Sequence, residues 1–158
     1  MSNSRADLDL ALAHRHFSAD CFNRTWDLME NPSRTPDEEE EMLLCASASL
    51  WHWLQRADRT ERNFSIGHWQ ISRVLSLLGH GQSALRHGKL SLRFAAGSPP
   101  FFVACAHEAI ARAALIVGDR TLGRDHLNQA KFHAATITDT EERASVERDI
   151  QALEAGGK

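Results

Sequence analysis

Sliding this sequence along itself by 39 residues brings two stretches into register, and that duplication restricts the fold more than any other feature. His68 falls on His107, Ile71 on Ile110, Arg73 on Arg112, Gly79 on Gly118, His87 on His126, Ala95 on Ala134 and Ala96 on Ala135, while small Ala84 meets small Gly123. Alanine is abundant, tyrosine is absent, β-branched residues are sparse, and apolar positions recur at spacings of three and four, which is a helical pattern. A helical hairpin that recurs with glycine at its turn predicts a stack in which each hairpin buries its apolar face on the next. A chain of 158 residues, 42% hydrophobic and 25% charged, has the material for one such domain, and that composition sets aside disorder and disulfide-dense mini-proteins.

Seven helical segments are predicted, each with a chemical boundary. The first covers about residues 7–30 and ends before Asn31 and Pro32, because proline pushes its predecessor out of the helical region. The second opens on Thr35, Pro36, Asp37 and Glu38, a capping hydroxyl, an N1 proline and an N3 carboxylate in capping-box order, and the first pair runs to about residue 57. Glu38 to Glu41 is then a solvated first turn favoured by the helix dipole. Segments of about 60–78, 82–96 and 101–117 stop at Gly79, Gly97 and Gly118, where glycine supplies the left-handed residue after a last turn. A sixth covers about 120–136, and a seventh, capped by Asp139, runs over about 140–155. Short connections make neighbours antiparallel, giving helix pairs over about 7–57, 60–97 and 100–136 with a closing helix.

The glycine followed by Asp119, the small residue five positions past each glycine, and Ser91 and Ala130 seven further on resemble the tetratricopeptide repeat. The resemblance covers the whole chain if the first two helices form a less regular pair. Two departures stand out: the tyrosines and the repeat-end proline of that family are missing, and Gly88 and Leu127 occupy a position that is usually aromatic. The strings Trp69 to Val74 and His107 to Ala113 are similar to a bacterial group of such proteins. The resemblance implies a right-handed all-α solenoid whose inner surface is lined by the first helix of each hairpin, and it supplies no activity; the functional expectation is a non-enzymatic module that holds a peptide, a partner protein or a small anionic ligand in that inner groove.

Ile71, Val74, Leu75 and Leu78 form the core stripe of the third helix, leaving Trp69, Gln70 and Arg73 off it. In the fifth helix the strongly polar side chains are His107, Glu108 and Arg112. Because Arg73 and Arg112 are repeat equivalents on adjacent helices, their guanidiniums are expected to converge. An anionic ligand held by both arginines, with Trp69 stacking, Gln70 hydrogen bonding and Glu108 orienting Arg112, is one reading. The other is internal: Glu108 pairs with Arg112, and Arg73 meets a carboxylate of the first pair such as Asp27. Trp26, Trp51 and Trp53 read as core anchors, although Trp51 and Trp53, two apart, cannot face the same way, so one is expected on a groove or an oligomer contact.

The formal charge of -3 provides no broad basic field, which argues against nucleic acid. The run from Phe94 to Ala106 is too short and too interrupted to span a membrane, and no signal peptide is read between Met1 and Ala13. Three widely spaced cysteines, Cys21, Cys45 and Cys105, fit a reducing cytoplasm. Nine histidines invite a metal or acid/base enzyme reading. His107-Glu108 begins a zincin-like string, but Ala111 stands where the second histidine belongs. A cluster of His52, His87 and His107 across helices, with Glu108, is the alternative site. Otherwise no cofactor is implied.

Overall fold

The computed structural model describes residues 9–156, and over these the chain is all-helical. Seven helices run α1 (Leu10–Glu30), α2 (Pro36–Gln55), α3 (Glu61–Leu77), α4 (Gly81–Phe94), α5 (Pro100–Ile116), α6 (Arg120–Ala134) and α7 (Thr140–Gly156). The expected start of the first helix, near residue 7, lies outside the described residues; α1 is capped by Asp9, whose carboxylate accepts the Leu12 N–H at 3.0 Å. Thr35 and Glu38 form the expected capping box, with bonds of 3.2 and 2.8 Å. Thr60 and Asn63 form a second one that the sequence reading did not anticipate, asparagine replacing the usual Glu or Gln.

The duplication extends to the backbone of the turns. Gly79 and Gly118 take φ of 77° and 84°. Beyond each glycine the next N–H reaches back to close the helix end, His80 to the Leu75 carbonyl at 2.8 Å and Asp119 to the Ala114 carbonyl at 2.9 Å. This is the Schellman geometry, and it needs a residue without the Cβ penalty at positive φ. The first helix of each hairpin is therefore ended by the same hydrogen bonds at the same repeat positions.

Helices pair as α1 with α2, α3 with α4 and α5 with α6, and successive pairs stack through α2 on α3 and α4 on α5. The central helix is α5, which packs on α3, α4, α6 and α7. Its alanines explain how one helix accepts so many neighbours: Ala104, Ala106, Ala109, Ala111, Ala113 and Ala114 are all buried, and short side chains let helix axes approach. One apolar cluster gathers Leu28, Met42, Leu50, Ile71, Val74 and Leu75; another joins Ala104, Ala130, Ile137, Val146 and Ile150 beneath α7. The predicted α3 stripe holds, Leu78 being its half-buried end.

Gly88 shows why an aromatic side chain is missing from that repeat position. A Cβ there would lie 3.1 Å from Ile110 Cγ1 and 3.2 Å from the Ile110 backbone nitrogen, so α4 crosses α5 in near backbone contact. Gly88→Val is expected to lose about 2 kcal/mol through overpacking, read as a lowered urea midpoint; an unchanged midpoint would show that the crossing is loose.

Of the paired tryptophans, Trp51 is 53% exposed while Trp53 lies beneath the Arg56 guanidinium, 3.7 Å from its ring centroid. Among the described residues no helix is long and apolar enough to cross a membrane.

Candidate functional site

Arg73 on α3 and Arg112 on α5 do converge, and what lies between them is protein. Glu108 is 1% exposed, and its Oε1 accepts from Arg73 at 3.3 Å and from Arg112 Nε at 2.9 Å, with a second close contact to Arg112 Nη2. Asp149 on α7 takes the other side of Arg73 at 2.9 Å and stands 3.9 Å from Arg112. Two cations are thus matched by two carboxylates. The expectation that Arg73 meets Asp27 is corrected: its partners come from α5 and α7, because α5 packs on α3 and carries α7 on its other flank, within reach of Arg73. Burial pushes the Glu108 carboxyl upward while Arg112 and Arg73 pull it down. Its Oε2 has no hydrogen-bond partner.

Gln70 is also corrected. It is 1% exposed, and its Nε2 donates to the Phe22 carbonyl at 3.1 Å, fastening α3 to α1 instead of facing a ligand. Off the stripe did not mean towards solvent, since α1 covers that flank of α3.

Trp69 does face open space. With Phe22 and Trp26 of α1 and Phe101 and Phe102 of α5 it lines a cleft of about 300 Å³, which Asp149 borders from α7. The ring partner of Trp69 is Trp26, with centroids 5.6 Å apart and planes tilted 34°. Trp26, expected as a core anchor, is 37% exposed here. The floor carries Ser65 and Ser91, the Ser65 hydroxyl donating to the Ser91 carbonyl at 3.0 Å. Phe22, Phe101 and Phe102 escaped the sequence reading. Their signal is an aromatic at i and i+4 in α1 and an aromatic doublet opening α5, but only tertiary pairing shows that they meet.

The histidine cluster of His52, His87 and His107 is overturned, for each belongs to a different hairpin and pairs within it. Nδ1 to Nδ1 separations are 2.8 Å for His14 and His52, 2.9 Å for His68 and His87, and 2.8 Å for His107 and His126. In the two repeats a third ring stacks on the pair at equivalent positions, Phe94 on His68 at 5.6 Å and His133 on His107 at 5.6 Å. A short Nδ1 to Nδ1 contact needs one ring to donate and the other to accept, so each pair is held together only while at least one ring is neutral. Burial and the partner ring push His68 and His107 down to about 4. Among the described residues no three His, Cys, Asp or Glu side chains are placed to hold a metal ion. His107 is bonded to His126 of α6 while Glu108 is bonded to Arg73 of α3 and to Arg112, which parts the two groups an acid/base site would need.

Comparison with family models, with curated proteins and with solved structures gave no match.

Proposed function

We propose that this chain is a non-enzymatic binding module of tetratricopeptide-like design, and that the aromatic cleft on its inner side holds the apolar body of a ligand. One observation carries the reading: five aromatic side chains from α1, α3 and α5 border a single cleft of about 300 Å³, the size at which small-molecule sites begin. The ligand role expected of Arg73 and Arg112 moves to these rings. Both guanidiniums are already engaged by Glu108 and Asp149, so the sequence-based anion has no free cation to meet and would compete with two carboxylates.

The unpaired cysteines Cys21, Cys45 and Cys105 fit a reducing compartment. Burying each large apolar group on a ligand is worth about 1.5 to 3 kcal/mol, so removing one wall of the cleft has a measurable effect. The neutral fluorophore N-phenyl-1-naphthylamine is expected to bind with one-to-one saturation and to be weakened about tenfold by Trp69→Ala. Equal affinity of wild type and variant would refute the assignment of the cleft.

A further inference from the structure

The rings around the cleft specify more than apolarity. Among the described residues Asp149 is the one charged side chain lining the cleft; it is about a third exposed and already paired with Arg73 at 2.9 Å. Arg73 and Arg112 do not line it. An aromatic face carries negative quadrupole density, so a cation set against Trp or Phe is attracted where an anion is repelled. One of these rings already carries a cation: the exposed Arg62 guanidinium lies 5.0 Å from the Phe102 ring centroid.

Cys105 lies on the cleft wall. Its thiol is pushed strongly upward, by burial first and then by the carboxylates of Glu108, Asp149 and Glu142, with Arg73 alone pulling the other way.

We propose that the cleft takes a small organic ammonium compound, its cationic head held against the π faces of the rings and its apolar body over Ile66 and Val146. This rests on the cleft being the binding site, and it reverses the sign of the ligand charge that the two arginines suggest in the sequence.

Calorimetric titration of the whole chain with three probes of similar size separates the two ideas. Benzyltrimethylammonium is expected to bind at least tenfold more tightly than benzyl alcohol, and benzoate more weakly than either. Trp69→Leu and Phe102→Leu, which keep apolar volume and remove a π face, are expected to weaken the ammonium about fivefold and benzyl alcohol less than twofold. If benzyl alcohol binds as well as the ammonium, or benzoate better, the charge assignment falls and the apolar cleft stands. If none of the three binds, the cleft is not a site and both readings fall.

Discussion

Glu108→Ala is expected to destabilise the protein by about 3 kcal/mol, the lower end of the range for breaking a buried ion pair. The lower end applies because the two guanidiniums it serves are 22% and 18% exposed and keep some water. Removing the carboxylate leaves Arg73 and Arg112 facing each other with Asp149 as their one remaining counter-charge. Glu108→Gln keeps an acceptor at the Oε1 position and exchanges an oxygen without a partner for an amide without one; its expected loss is smaller, about 2 kcal/mol. The diagnostic measurement is a double-mutant cycle by urea unfolding with Arg112→Met. Because part of the cost is an uncompensated cation, the double variant is expected to lose less than the two singles together. Strict additivity, or a loss below about 1 kcal/mol for Glu108→Ala, would mean that the network is peripheral to stability.

Acidification is expected to unfold the chain in a window set by the histidine pairs. His68 and His107 stand at about 4 in the folded chain against 6.5 for a free ring, and His52, His87 and His126 are also lowered, burial being the largest cause in each. Arg86 and Arg93 oppose a proton on His68, and His133 opposes one on His107. Between pH 6.5 and 4 the unfolded chain therefore binds more protons than the folded one, so stability is complete above the unfolded value and is lost as pH falls towards the folded one. A pK unit is worth about 1.4 kcal/mol; solvent access to both rings lowers the full conversion to about 1 to 2 kcal/mol each. Asp58, lowered to about 2 by Arg56, acts only below that window. Urea midpoints at pH 8, 6 and 4.5 are expected to fall steadily, and the double variant His68→Leu, His87→Leu is expected to flatten the decline. A flat wild-type profile would show that the rings are solvated.

The helices were legible because their boundaries are written in residues with local consequences: Pro32, Thr35, Gly79 and Gly118 act within one turn of where they stand. The convergence of Arg73 and Arg112 was legible too, since equal positions in stacked repeats lie side by side. Their second carboxylate was not. Asp149 lies 76 residues from Arg73, outside the duplicated segment, and nothing local to it reveals which flank of α5 the seventh helix covers. The histidine pairs were half visible. His68 and His87 lie 19 residues apart, as do His107 and His126, on either side of the glycine at which each hairpin folds. Residues so placed on two antiparallel helices meet, so pairing within a hairpin was the geometrically shorter route than a cluster across three. The cleft was hidden for a different reason: its lining comes from five helices, and aromatic residues in an amphipathic pattern look the same whether they fill a core or border a gap.

The position of Asp149 on α7 also bears on the order in which the molecule is assembled. During translation both repeats leave the ribosome before α7 does, with one acidic group for two guanidiniums at their junction. Neutralisation is completed only when the following helix docks. The electrostatic closure of the duplicated hairpins thus depends on a segment that follows them in the chain, and without it their junction carries one positive charge in excess.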